Sequence, residues 1–214
     1  MQIIDISMTV KGDMPVYHDA PQKRPVHTVE RKIPPDAINE SALKMNLHTG
    51  THLDSPFHMI KGGWPTEFLP LERLIAPCRV LNLTQVAEKI TRADLECMDI
   101  QPGEFLLFKT SNSAHDKWRE DFVYLEKSGA AYLAAQRVSG VGTDALGIER
   151  AQPGHETHIT LLKQEIIIME GLRLGHVNPG RYLLVALPVK IANADGAPAR
   201  AVLVQGALPT ISSD

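Results

Sequence analysis

The strongest constraint on the fold is a stretch of alternating side chains that also contains most of the unusual chemistry of the chain. From Leu43 to Met59 the odd positions are largely apolar, whereas the even positions include three histidines and an aspartate. A period of two is typical of an extended strand with one buried face and one polar face. The pattern therefore predicts a strand that ends in a tight turn, with the polar side chains together. Gly50, between the first two histidines, is expected to leave the backbone open to an ion or substrate.

A helix is the alternative for this segment, because His48 and His52 have the spacing of a helical zinc motif. Two threonines and a glycine lie between them, and each weakens a helix. Pro56 disfavours the helical conformation of the residue before it. The strand is therefore the favoured prediction.

The same segment offers the donor atoms of a metal site. His48, His52 and Asp54 supply two imidazole nitrogens and a carboxylate, which suit zinc, manganese or ferrous iron. His58 could be a fourth ligand or a proton shuttle, since the turn at Pro56 leaves its direction open. We predict proton transfer, because an ordinary imidazole pKa of about 6.5 suits acid and base chemistry at neutral pH. Spacing alone leaves His155 and His158 open as ligands or residues of a charged loop, and Glu170 as a ligand or a solvated strand end. Asp144 is expected to be a loop cap or a hydrogen-bond anchor.

Composition indicates one domain that acts on small molecules or contacts other proteins. The chain has 214 residues, 43% hydrophobic and 22% charged, so we expect one compact α/β domain over residues 1–214. A formal net charge of -3 provides no basic surface for nucleic acid or an anionic membrane. The first residues lack a basic, apolar leader, and no later run is long enough to span a membrane. We therefore expect a soluble, cytoplasmic protein.

The rest of the chain predicts many strands and few helices. A capping box starting at Thr91 predicts a short helix, and residues 128–138 predict an amphipathic helix that Gly140 terminates. A short helical turn is expected over residues 71–75. The predicted strands cover residues 3–9, 26–33, 79–83, 105–110, 141–143, 165–169, 183–189 and 201–204.

The run His-x-Gly-Thr-His-x-Asp-x-Pro-x-His at residues 48–58 resembles the signature of the metal-dependent cyclase family, which includes bacterial kynurenine formamidase and isatin hydrolase. The similarity extends from Asp5-Ile-Ser to Gly142-Thr-Asp144 and Glu170. The resemblance implies a compact, β-rich α/β fold described as a swivelling β/β/α domain. It also implies a homodimer or homotetramer.

The resemblance further implies a set of metal ligands. In the formamidase branch it implies a two-zinc centre, with His48 and His52 on the first ion and Asp54 between the two. A histidine twelve residues before a glutamate then completes the second ion, and His158 with Glu170 fits this spacing. In the isatin-hydrolysing branch the first three groups hold a single manganese. Zn²⁺, possibly two per chain, or Mn²⁺ is therefore expected.

The expected activity is hydrolysis of an amide bond in a small molecule, either an arylformamide such as N-formylkynurenine or a cyclic amide or imide. The metal would lower the pKa of a bound water from about 15.7 toward about 7, and His58 would protonate the departing nitrogen. Tyr17 lies where the family places an aromatic residue near the substrate, commonly a tryptophan in the formamidases. Two alternatives stay open: a ferrous-iron oxygenase with two histidines and one carboxylate, and a metal-dependent binding protein without catalysis.

Overall fold

The computed structural model describes residues 1–150 and 152–206, which form one large mixed sheet, two small sheets and three α-helices. The strands are β1 (Gln2–Asp5), β2 (Val26–Arg31), β3 (Glu40–Lys44), β4 (His52–Asp54), β5 (Ile75–Asn82), β6 (Lys89–Ile90), β7 (Phe105–Lys109), β8 (Tyr124–Leu125), β9 (Gly140–Thr143), β10 (Ile167–Glu170), β11 (Gly180–Pro188) and β12 (Gly196–Gln205). The α-helices are α1 (Arg92–Glu96), α2 (Lys127–Gln136) and α3 (Glu156–Lys163). The 3-10 turns are Tyr17–Asp19, Pro21–Lys23, Pro56–His58, Thr66–Phe68, Leu71–Arg73, Ser111–Ala114 and Pro153–His155.

Seven strands of the large sheet close into a barrel in the order β12-β11-β5-β7-β9-β10-β4, because β4 pairs back with β12. Closure is possible because β12 is long enough to have two neighbours along one edge. Its first residues pair antiparallel with β4, and its last residues pair antiparallel with β1. The β5, β7, β9 and β10 strands run parallel, as expected of strands covered on both faces.

Strand β7 shows how the core is divided between the barrel interior and the helical side. Phe105, Leu106, Leu107 and Phe108 are all fully buried, so the strand is apolar throughout rather than alternating. Phe105 and Leu107 contact the apolar cluster inside the barrel, whereas Leu106 and Phe108 pack on the cluster that includes the helices. The β-rich fold with few helices that the sequence predicted is confirmed.

The predicted strand ends in a turn at Pro56–His58, as expected, but its continuity from residue 43 is wrong. The segment instead divides into β3, a turn, β4 and a 3-10 turn. Leu43 and Phe57, which the alternation placed toward a core, are 51% and 48% exposed. The pattern misled because β3 belongs to a two-stranded hairpin with β2 in which every residue is exposed, so neither face packs on a core.

Other elements follow the predictions with shifted ends. The capping box at Thr91 is present, with the Asp94 carboxylate accepting the Thr91 backbone N–H at 2.8 Å. Helix α2 ends at a left-handed Arg137, before Gly140, which is the first residue of β9. Helix α3 was not predicted. No helix in the described ranges is long and apolar enough to cross a membrane.

Candidate metal centre

The candidate site is built on the pairing of β4 with β10. The antiparallel register places His52 directly opposite Glu170, and Asp54 lies two residues along on the same face of β4. Nε2 of His52 is 3.4 Å from Oδ1 of Asp54 and 3.4 Å from Oε2 of Glu170. Leu53 and Met169, which alternate with these residues, pack inside the barrel. The three polar side chains therefore point to the outer, helical side of the sheet.

His48 reaches the same place from the turn that precedes β4. Its Nδ1 lies 2.9 Å from Oδ1 of Asp54, and its Nε2 lies 3.0 Å from Oδ2 of Asp195. The ring rests against the backbone of Gly196, where an added Cβ would lie 2.6 Å from the imidazole. The turn therefore brings His48 to the ligands of β4, although the three residues do not share one strand face as predicted.

The sequence suggested that Gly50 leaves the backbone open to an ion. The structure shows otherwise. It has a left-handed φ of +74°, and a Cβ there would lie 3.0 Å from the Met14 side chain. Its carbonyl oxygen lies 2.9 Å from Nδ1 of His52. That contact holds the Nδ1 proton of His52 and leaves Nε2 facing the cluster.

His158 approaches from the first half of α3. Its Nε2 lies 3.5 Å from Oδ2 of Asp54 and 3.4 Å from Oε1 of Glu170, whereas its Nδ1 lies 2.9 Å from Oε1 of Glu149. The side chain of His155 is 64% exposed and contacts the outer side of Glu149 at 2.7 Å. The structure thus places His158, rather than His155, beside Asp54 and Glu170.

Several buried atoms at the centre of this cluster have no hydrogen-bond partner. They include Nε2 of His52 and both carboxylate oxygens of Asp54, in side chains that are 0% and 1% exposed. Leaving buried polar and charged atoms unpaired is costly unless a ligand satisfies them. Imidazole nitrogens and carboxylate oxygens within 4.8 Å of one another, as in His52, Asp54 and Glu170, fit a divalent metal ion.

The charges of the cluster depend on one another. Burial lowers the pKa of His52, but the Asp54 and Glu170 carboxylates, each 3.4 Å from its Nε2, outweigh burial and raise it to about 10. Burial and the charge of Asp54 would raise the pKa of Glu170, but His158 and His52 lower it to about 2. At neutral pH the acids are therefore ionised and carry protonated imidazoles beside them. A metal ion entering the cluster would replace those protons.

His58 lies at the edge of the cluster, where a ring nitrogen is within 4.8 Å of possible ligand atoms of His48 and Asp54. Its ring centroid is 4.1 Å from that of His48, and its Nδ1 is 3.5 Å from Oδ2 of Asp195. Burial lowers the pKa of His58, and the nearby histidines lower it further. The imidazole is therefore neutral at neutral pH and has a nitrogen free to accept a proton.

A cavity of about 360 Å³ opens onto the cluster. Its wall includes the predicted site residues Tyr17, His48, His58, His158 and Glu170. The Tyr17 ring packs edge-on against Trp118, with centroids 4.8 Å apart. Burial raises the pKa of the Tyr17 phenol, which keeps its proton. A small molecule in the cavity would touch both this ring and the cluster.

The family model described as "Putative cyclase" matches residues 4–150 of the chain. The chain belongs to this cyclase family. Kynurenine formamidase of Salinibacter ruber is 36% identical over 206 residues, covering 95% of this chain and 97% of that protein. A solved structure described as a potential metal-dependent hydrolase with cyclase activity is 46% identical, with a TM-score of 0.88 over 94% of this chain and 96% of that one.

The cyclase fold extends to more distant proteins. Isatin hydrolase A from Labrenzia aggregata has a TM-score of 0.82 over 94% of this chain and 93% of that one, at 21% identity. This likeness shows a shared fold. The family predicted from residues 48–58 is confirmed, and with it the β-rich fold class.

Two residues at the cyclase site were not predicted from the sequence. Glu149 is 4% exposed and contacts His158, and Asp195 contacts both His48 and His58. Nothing in their sequence neighbourhoods distinguishes them from solvated acids. Asp144, for which a hydrogen-bond anchor was one prediction, is confirmed as one, and the donors to its carboxylate are Thr110, Asn112 and Ser113.

Proposed function

We propose that this protein is a metal-dependent hydrolase that cleaves the carbon–nitrogen bond of a small-molecule amide. The substrate is an arylformamide such as N-formylkynurenine, or a cyclic amide or imide. The proposal depends mainly on one observation, the convergence of buried, unpaired histidine and carboxylate atoms beside a cavity of about 360 Å³. Kinship with kynurenine formamidases supports a bond other than a peptide bond.

The arrangement of the carboxylates supports two metal ions. Oδ1 of Asp54 and Oε2 of Glu170 face His52, and Oδ1 of Asp54 also faces His48. The other oxygen of each carboxylate, Oδ2 and Oε1, faces His158. Both acids could therefore help to hold two ions. We assign His48 and His52 to the first and His158 to the second, with Zn²⁺ as the expected metal and Mn²⁺ as the alternative.

A divalent ion bound there would polarise the amide carbonyl and lower the pKa of the attacking water. Neutral His58 accepts the proton of that water at its free nitrogen and then donates it to the departing nitrogen. His58 thus acts first as a base and then as an acid. Tyr17 lines the cavity and contacts the organic part of the substrate.

The test is hydrolysis by chelator-treated protein, with and without added Zn²⁺ or Mn²⁺, on N-formylkynurenine and a panel of cyclic imides followed by mass spectrometry. We expect products that have gained one water, and only when metal is present. Asp54→Asn should abolish metal binding and turnover. Asp13→Asn is the matched control. Asp13 is exposed and forms an ion pair with Lys11, so its replacement should change neither metal binding nor turnover.

Three outcomes would contradict the proposal. Turnover that persists without metal would remove the ion from the reaction. A requirement for oxygen and ferrous iron would favour the oxygenase alternative. Metal-dependent binding of every panel member without any product would favour the binding-protein alternative.

Assembly, partners and location are proposals of the same kind. We propose a homodimer or homotetramer with a small molecule as the ligand, no nucleic-acid or membrane partner, and a cytoplasmic location. Light scattering during size-exclusion chromatography measures the number of chains. A monomer at micromolar concentration would contradict the proposed assembly.

A further inference from the structure

Glu149 is a buried acid that contacts the candidate centre without being one of its proposed ligands. Its side chain is 4% exposed, and its two oxygens have different partners. Oε1 lies 2.9 Å from Nδ1 of His158 and 2.7 Å from Nδ1 of the exposed His155. Oε2 accepts the backbone N–H groups of Thr157 at 3.0 Å and of His158 at 3.4 Å. One carboxylate therefore contacts both the ring and the backbone of the same histidine.

The backbone contacts serve the start of α3. The first N–H groups of a helix have no partner within the helix. The residue at the N-cap of α3, His155, has a left-handed conformation and makes no side-chain capping bond. Glu149 caps the helix from outside it, and its negative charge is favourable near a helix N-terminus. The position of α3 is thereby tied to Glu149.

The ring contact decides which nitrogen of His158 is free. A neutral imidazole has one donor nitrogen and one acceptor nitrogen. Nδ1 of His158 makes no aligned hydrogen bond, but an ionised carboxylate 2.9 Å away repels a lone pair there and favours the proton on Nδ1. The lone pair is then on Nε2, which faces Asp54 and Glu170. Carboxylates that orient metal-binding histidines in this way also make them more basic.

We propose that Glu149 is a positioning residue, which selects the His158 tautomer that binds the second metal ion and holds the start of α3 in place for it. The inference rests on the proposed function, because it takes His158 as a metal ligand. His52 is oriented by a neutral backbone carbonyl, that of Gly50. The histidine proposed for the second ion is therefore oriented by an anionic group, whereas His52 at the first ion is oriented by a neutral one.

Glu149→Gln tests the proposal because the amide keeps the size of the side chain but has only one accepting oxygen. That oxygen can lie against the His158 ring or accept the backbone N–H groups of α3, but not both. We expect the second equivalent of Zn²⁺ to bind about 10–100-fold more weakly in a chelator-competition titration. Glu156→Gln makes the same chemical change at an exposed position in the first turn of α3 and should bind zinc like the unmodified protein.

A lower melting temperature with unchanged zinc affinity in Glu149→Gln would show a merely structural role and overturn the proposal. If unmodified protein binds neither zinc nor manganese, the proposed function fails together with this inference. If unmodified protein binds two equivalents and Glu149→Gln does so equally well, only this inference fails.

A second measurement needs no variant at Glu149. Nitrogen-15 NMR of the imidazoles in zinc-loaded, unmodified protein reports which nitrogen carries the proton, and His158→Gln assigns the signal by its loss. We expect the proton on Nδ1 of His158 and the metal on Nε2. The opposite arrangement would overturn the proposal whether or not Glu149→Gln folds.

Discussion

Each histidine of the candidate centre has a partner that orients its ring. His52 is held by the carbonyl of Gly50, two residues away in sequence. Asp195, which contacts His48, is 147 residues away. The proposed ligands could be predicted from a local motif or from a family resemblance. Asp195 could not, because its contact exists only once the chain has folded.

Replacing His58 separates metal binding from catalysis. In His58→Ala we expect bound metal to be nearly unchanged, because the side chain lies at the edge of the cluster. Turnover should fall by about 10²–10⁴-fold, the usual contribution of a positioned acid or base. Metal analysis and turnover measured on the same sample check both expectations. His27→Ala, on the exposed strand β2, is the matched control, and retained turnover in His58→Ala would remove the proposed role.

Metal affinity should depend steeply on pH. The pKa of His52 is raised to about 10, so this imidazole keeps its proton in metal-free protein until the pH rises through that value. A metal ion must displace that proton, so lower pH weakens binding. We expect affinity, measured by chelator competition, to fall by at least about tenfold for each pH unit from about pH 8 to about pH 6, because each displaced proton contributes a factor of about ten. Equal affinities across this range would contradict the protonation state described here.

Single elements were predicted well where local chemistry decides them and poorly where tertiary contacts do. Strand β7 and the capping box of α1 follow from an apolar run and a local side-chain bond. The alternation over residues 43–59 was misassigned, because sequence does not show that β3 is exposed on both faces. Helix α3 was missed because its N-terminus is capped by Glu149 rather than by its own N-cap residue.

The close approach of two backbone segments holds β10 against the ligand turn. Gly171, directly after Glu170, has a φ of +70°, and an added Cβ would collide with the carbonyl oxygen of Gly50. Gly171→Ala should lower the free energy of unfolding by about 2–5 kcal/mol, from left-handed strain and overpacking together. Denaturant unfolding measures this change.

Gly103→Ala is the matched control for Gly171→Ala. Gly103 has a φ of +80° but nothing within 4 Å of an added Cβ, so only the strain applies. We expect a loss of about 1–2 kcal/mol for this variant. Equal losses at the two positions would show that the approach of Gly171 to Gly50 contributes nothing.

At the scale of the whole molecule, the ligand strand is also the strand that closes the barrel. Strand β4 pairs with β10 on one side and with β12 on the other. The proposed ligands of β4 and β10 therefore come together through one of the two pairings that close the barrel. A metal ion that binds the folded protein but not the unfolded chain would stabilise the protein by about 2.7 kcal/mol at a free metal concentration 100 times the dissociation constant. Zinc should raise the melting temperature of the unmodified protein and leave that of Asp54→Asn unchanged.

The central claim is that the buried histidines and acids hold a divalent ion that hydrolysis requires. Stepwise removal of metal with a chelator, with metal content and amide turnover measured on each sample, tests it most directly. The account predicts about two equivalents per chain at the start, turnover that falls with metal content, and recovery when zinc or manganese is restored. Full turnover in protein that contains no metal would contradict it.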